Sequence, residues 1–324
     1  MRSLVLTYVF LCSFPRPETG IEGYQEKVNS YYHFRVDSVS AALGYVLPYV
    51  AKEFKKFPKW WKLDDETTPK TLTLVGGHDE TSRSRVVGET ISAMLEKKTF
   101  GILGKLKEEL KPIYGPGGEL LFSIDRAAFP LLGIVAYGVH MIAYTRDAKG
   151  DVDKLWVSKR GNDVRGYKGF FDNTVSGGIP TGETPREALI READEEAKLS
   201  KRDLANVKSC GTLSYFHIRK PEQGPDPGLL HPGVQYIYEM VAPENFNPIP
   251  DGKEVESFHQ LGCKEILEQI VGGKVKPFFT LVVIDFLLRH GVIDEEKERD
   301  FVEISMRLHR SLEFPVCNVL KNEA

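Results

Sequence analysis

GGIPTGETPREALIREADEEAKL, residues 177–199, opens on two glycines and closes on a cluster of acids. Thr184-Pro185-Arg186-Glu187 has the form of a helix start. Thr184 is the N-cap, Pro185 takes the first helical position where its missing N–H costs nothing, and Glu187 completes a capping box. Helical spacing to about Leu199 then sets Glu192, Glu195 and Glu196 at i, i+3 and i+4, on one face within one turn. Ile190, Ala193 and Ala197 form the opposing apolar stripe, with two small residues that permit close packing. Like charges at that spacing repel by roughly a few tenths of a kcal/mol per pair. An ordinary solvated helix spaces them among lysines; here the nearest base on that face is Arg191, one turn before Glu195. The cluster needs a counter-charge. A hard divalent cation, Mg2+ or Mn2+, suits carboxylate oxygens and the phosphates of a substrate together. Ser176-Gly177-Gly178 is expected to turn, letting backbone approach metal or phosphate closely.

Gly177, Glu183 and Arg191-Glu192-Ala193-Asp194-Glu195-Glu196, at their spacing, resemble the Nudix box, Gly-x5-Glu-x7-Arg-Glu-U-x-Glu-Glu-x-Gly-U, where U is a bulky aliphatic residue. Ala193 is small where U is expected, and Lys198 stands where the box has Gly. A side chain in a left-handed cap costs about 1 kcal/mol, so the helix is expected to end differently here. Neither departure removes a carboxylate.

The resemblance runs from about Ser13 to Pro315. Tyr137–His140, Asp172–Gly178, Gln235–Tyr238, Gly252–Phe258 and Ile284–Gly291 are similar to one eukaryotic Nudix subfamily, with fungal and plant members, in which a DUF4743-type domain precedes the Nudix domain. Its members are often labelled thiamin-pyrophosphokinase-related. The resemblance implies an α/β Nudix sandwich (α/β/α, mixed sheet) behind a smaller α+β N-terminal domain. The divisions are 1–19 extension, 20–130 N-terminal domain, 131–292 Nudix domain and 293–324 C-terminal helix and tail. It also implies hydrolysis of diphosphates, with damaged thiamine diphosphate analogues as the leading substrate class. A Nudix box cleaves a phosphoanhydride, so the pyrophosphokinase label does not suit it. Glu192, Glu195 and Glu196 are the expected metal ligands. The general base is Glu192 or Glu196, or an outside acid such as Glu254. Arg191 is expected to orient Glu195, and Glu183 to brace the loop behind Gly177 and Gly178.

With 324 residues the chain is long enough for two domains. A net charge of −3 lacks the basic footprint of a nucleic-acid binder. The four cysteines, Cys12, Cys210, Cys263 and Cys317, form no pair at metal-binding spacing, which fits a reducing compartment such as the cytoplasm. The apolar run Leu4–Leu11 resembles a weak signal peptide without a cleavage site and is too short to span a bilayer. The partner is therefore expected to be a small-molecule diphosphate, with no nucleic acid and no membrane, and a homodimer is left open.

Elsewhere a strand is expected around Phe34-Arg35-Val36, an amphipathic helix over Ala41–Phe54, a strand over Thr71–Val75, and helices over Arg83–Lys97 and Ile102–Leu110. Gly133–Tyr144 and Leu155–Lys159 read as strands about an Asp147–Gly150 turn, with His140 a satisfied sheet histidine. Strands are expected over Ser209–Phe216, Val234–Val241 and Glu254–Leu261, helices over Cys263–Val271 and Phe278–His290, and a charged helix over Asp294–Leu312. Three rival functions stay open: a nucleotide-sanitising enzyme of the 8-oxo-dGTP type, an isoprenyl-diphosphate isomerase with Cys210 as its candidate cysteine, and a binding module with a vestigial site.

Overall fold

The computed structural model describes residues 14–17, 20–104, 106, 109–162, 164 and 166–320. The run Leu4–Leu11 lies outside them. The first region contains α1 (Ile21–Asn29), β1 (Tyr32–Val36), β2 (Gly44–Val46), α2 (Pro48–Phe54), β3 (Trp61–Asp64), β4 (Thr71–Leu74), α3 (Glu80–Glu96), β5 (Leu110–Tyr114), β6 (Leu120–Asp125) and α4 (Phe129–Leu132). Four strands form a sheet in the order β2-β1-β4-β3, and β5 with β6 makes a separate hairpin. Phe34, Phe54, Trp61, Leu72 and Phe122 fill its core. Trp61 is buried and donates from Nε1 to Thr90 Oγ1 at 3.0 Å.

Two expected helices differ among the described residues. Over Ala41–Phe54, residues Gly44–Val46 pair with β1 instead, and the helix begins only at Pro48. Proline is tolerated in the first turn and drives the residue before it into extended backbone, which Leu47 adopts. Over Ile102–Leu110, residues 101–104 form a turn and Leu110 already opens β5. Gly101 and Gly104 weaken a helix there, and Leu110 finds its partner across the hairpin in Asp125.

The second region contains β7 (Ala136–Arg146), β8 (Val152–Arg160), β9 (Phe171–Asp172), β10 (Val175–Gly178), α5 (Pro185–Ala197), β11 (Lys208–Ile218), β12 (Leu230–Val241), β13 (Val255–Gly262), α6 (Cys263–Val271), α7 (Pro277–Arg289) and α8 (Phe301–Leu308). The sheet order is β11-β12-β7-β8-β13, with β10 on β7 and β9 on β8; β7 and β12 run parallel. Alternation along β7 builds two cores. Val139, Met141 and Ala143 cluster with Ala188, Leu189, Ala193 and Ala197 of α5. Ile142 and Tyr144 cluster with Phe279, Val282, Val283 and Phe286 of α7. The architecture is a mixed sheet between helices, as expected. The charged helix expected over Asp294–Leu312 shrinks to α8, because residues 294–300 (DEEKERD) offer no apolar face to bury.

One irregularity creates the site. β7 pairs with β10 at its start, Gly178 opposite Gly138, and with β8 at its end, Ala143 opposite Trp156. Buried Thr174 spans this fork. Its Oγ1 accepts from Ala143 N at 2.9 Å and donates to Trp156 O at 2.6 Å. Hairpin β5–β6 seats on the loop after β10: Thr181 N donates to Leu110 O at 2.9 Å, and Ser123 Oγ and Thr181 Oγ1 share a hydrogen bond at 2.9 Å.

Candidate active site

Helix α5 starts as its sequence dictates. Glu187 N donates to Thr184 Oγ1 at 3.3 Å, Thr184 N donates to Glu187 Oε2 at 3.0 Å, and Pro185 is the first helical residue. Its end corrects the expectation. Lys198 does take the left-handed cap, at φ 54° and ψ 33°, and Leu199 N closes the turn on Ala193 O. Buried Ala197 and Leu199 hold the backbone in that path whatever side chain lies between. Lys198→Gly should therefore raise stability by about 0.5–1 kcal/mol, read as a shift in the denaturant midpoint. An unchanged or lower midpoint would show the cap to be unstrained.

Ser176-Gly177-Gly178 also differs from expectation: it is strand β10, not a turn. Its glycines are required by clearance. A Cβ on Gly177 would overlap the Glu192 carboxylate, and one on Gly178 would overlap Lys111 Nζ. Successive strand residues face opposite sides, so acid and ammonium cover the two faces of one glycine pair.

Arg191 does more than orient Glu195. Its Nε donates to Glu183 Oε1 at 2.9 Å and Oε2 at 3.1 Å, its Nη1 to Glu192 Oε1 at 2.9 Å and Glu195 Oε2 at 3.1 Å, and its Nη2 to Gly178 O at 3.3 Å. Glu183 thus braces the loop through Arg191. Glu195 is turned outward, 58 % exposed. Glu192 and Glu196 face β10, and Glu196 Oε2 accepts from Ser176 N at 2.9 Å. Each keeps a little accessible surface while protein crowds it elsewhere. Burial, opposed by Arg191 and aided by the Glu195 charge, raises the Glu192 carboxyl to about 7. Burial and the Glu192 charge raise Glu196 well above the carboxylate range.

Two crowded carboxylates with too little positive charge fit a hard cation. Among the described residues no three His, Cys, Asp or Glu side chains converge on one point, and Glu195 is held by Arg191 Nη1. Glu254 stands one residue before β13, exposed, with its N donating to Asp251 Oδ2 at 3.1 Å and its O accepting from Gly161 N at 2.9 Å. Its charge and that of Glu192 both act on Arg126. Cys210 lies elsewhere, near Glu239, Arg289 and Asp285, and burial raises its thiol to about 11.

Behind Glu196 lies a polar network. Asp172, 2 % exposed, receives Lys276 Nζ at 2.6 Å and Arg160 Nη1 at 3.2 Å on Oδ2. Burial alone would raise its carboxyl; the two cations hold it down to about 2. His140 is the satisfied sheet histidine anticipated, with ring nitrogens bonded to Gln235 Oε1 at 3.1 Å and Asn173 Nδ2 at 2.7 Å. Burial and Lys276 lower it to about 4.

Sequence reasoning missed the residues that the first region brings here. Glu109 ion-pairs with Lys111, and Arg126 Nη1 donates to Glu109 Oε2 at 2.9 Å. Glu109 falls within the helix expected over Ile102–Leu110, and Lys111 lies just beyond it. The alternation of Leu110-Lys111-Pro112-Ile113-Tyr114 was the available signal.

An acid-bearing helix docked on a glycine strand at a sheet fork defines a phosphoanhydride-hydrolase class of site. The chain belongs to the Nudix hydrolase family and is a hydrolase. The NUDIX domain matches residues 136–279, and DUF4743, a domain of unknown function, matches residues 18–136. Nudix hydrolase 20, chloroplastic, of Arabidopsis thaliana is 30% identical over 314 residues, 89% of this chain and 78% of that one. Uncharacterized protein YJR142W of Saccharomyces cerevisiae is 28% identical over 287 residues, 85% of this chain and 82% of that one. The crystal structure of DR0079 from Deinococcus radiodurans overlaps 55% of this chain and 98% of its own, at 22% identity and a TM-score of 0.39. No described helix is long and apolar enough to cross a membrane.

Proposed function

We propose that the chain is a Mg2+- or Mn2+-dependent diphosphohydrolase that converts a small diphosphate to a monophosphate and phosphate, acting on oxidised or damaged thiamine diphosphate analogues. The observation behind the reaction is the pair Glu192 and Glu196, crowded against β10 with too little counter-charge. The substrate class rests on the similarity outside the box, from Tyr137–His140 to Ile284–Gly291. In this reading residues 20–130 and 131–292 are the two working domains.

Glu192, Glu195 and Glu196 would hold the cation. When bound, it would offset the charge of the diphosphate and acidify a water. Arg191 keeps Glu192 and Glu195 on one side of α5 and ties them through Gly178 O to β10. Gly177 leaves room for the Glu192 carboxylate. Glu192, Glu196 and exposed Glu254 are the acids that could take the proton of the attacking water.

The test is phosphate and monophosphate release, with Mg2+ and with EDTA, from thiamine diphosphate, its oxo and oxy analogues, 8-oxo-dGTP, ADP-ribose and NADH. Selective, EDTA-sensitive turnover of the thiamine analogues is expected. Selective turnover of 8-oxo-dGTP would replace the substrate class. Metal-independent turnover would overturn the cation's role.

A further inference from the structure

We propose that Arg126, carried by the DUF4743 region, is the phosphate-binding arginine of the site, steadied by Glu109; this rests on the diphosphohydrolase reading. The first point is exclusion. Arg191 belongs to the box but its guanidinium is already engaged by Glu183, Glu192, Glu195 and Gly178 O. Lys111 is inward, its ammonium lying over Gly178 and paired with Glu109. Lys276 and Arg160 are committed to Asp172.

Arg126 differs. Its side chain is 55% exposed, and among the described residues Glu109 is its ion-pair partner, through Nη1 alone. The backbone beneath it is held firmly. Arg126 N donates to Glu109 O at 2.9 Å, and Ala127 N to Asp125 Oδ1 at 2.7 Å. The same hairpin is fastened to the loop after β10 through Thr181. Arg126 therefore cannot drift from the box, and it lies within Coulombic reach of Glu192 and Glu254.

The charges explain why such a group is needed. Glu109 pairs with Arg126, the Glu192 and Glu254 charges act on it, and Glu109 and Glu195 act on Glu192, so a diphosphate arriving beside the box meets several carboxylates. A cation on the box carboxylates would offset part of that field, and the planar guanidinium of Arg126 would take phosphate oxygens in pairs. A domain with no assigned role would thereby supply the anion-binding wall of its neighbour's site.

The test is calorimetric titration of methylenediphosphonate, which cannot be hydrolysed, into the full chain with Mg2+ and with EDTA. Arg126→Ala should weaken binding about tenfold to a hundredfold, as expected for a lost charge-assisted pair, with its melting temperature nearly unchanged. Arg126→Lys should fall between, keeping the charge without the fork. Wild-type affinity in Arg126→Ala, or no binding by the wild type, would overturn the proposal. Loss of probe binding in Arg126→Ala without turnover of any panel diphosphate would sink the hydrolytic reading and leave the subsite standing. Panel turnover with unchanged kinetics in Arg126→Ala would do the reverse.

Discussion

Glu196→Gln should lower turnover by about 10²–10⁴-fold while its melting temperature stays level or rises. Most substitutions that abolish activity at a crowded site also cost stability. This one should not. Glu196 accepts one hydrogen bond, from Ser176 N, and an amide oxygen can accept the same bond. The amide also removes the repulsion with Glu192, the largest charge acting on Glu196. The native carboxylate is thus disfavoured by its surroundings when no cation is present. The sign follows from linkage. A carboxyl raised by folding binds protons more tightly in the folded state, so its contribution is full below the ordinary carboxylate range and is lost as pH rises. Glu196→Gln should therefore gain most over the wild type at alkaline pH, in EDTA. Thermal melts at several pH values beside steady-state turnover check this. A lower melting temperature would show the carboxylate to be a structural group, and retained turnover would remove it from the reaction.

Lys276→Met should destabilise the protein by about 3–5 kcal/mol near neutral pH, because it strands the Asp172 carboxylate with Arg160 alone. Met matches the Lys stem in length, so lost packing is a small part of the effect. The pH dependence separates charge from shape. Asp172 is held down to about 2, so its pairing contributes fully above about 3.9 and fades as pH falls through about 2. The deficit of the variant should accordingly shrink as the solution is acidified below about pH 4, where Asp172 in the variant takes up its proton. His140 adds a second window in the wild type. Folding lowers it to about 4, so stability is lost as pH drops from about 6.5 toward that value. Lys276 is one cause of that shift, and the His140 window should narrow in the variant. A deficit that stays constant from pH 7 to pH 3 would assign the loss to packing.

Much of the site was legible along the chain because it is local. The capping box, the proline at the first helical position and the three glutamates of α5 lie within 13 residues, and helix geometry converts their spacing directly into a shared face. Val139, Met141 and Ala143 alternate with Ile142 and Tyr144, so the two faces of β7 were also written in its sequence. Misreadings came where local preference was overruled. Gly44–Val46 joined β1, although the flanking residues carry a helical period, because the sheet had an open edge and Pro48 blocked helix entry. The glycines of β10 looked like a turn; they are extended because Val139 and Gly138 pair with them and Glu192 and Lys111 take the space of their side chains.

Capping and periodicity act over a few residues, so the acid-bearing helix, its start, and a mixed sheet flanked by helices could be read from local spacing. Only the tertiary structure decided what faces that helix. Glu109, Lys111 and Arg126 lie 66 to 83 residues before Glu192, and their arrival depends on hairpin β5–β6 docking at Thr181. Asp172, Arg160 and Lys276 meet behind Glu196 only when β8, β9 and the start of α7 are assembled. Charges in low dielectric are worth what their neighbours make them. Neighbours so distant in sequence are set by packing, and no spacing rule along the chain encodes them.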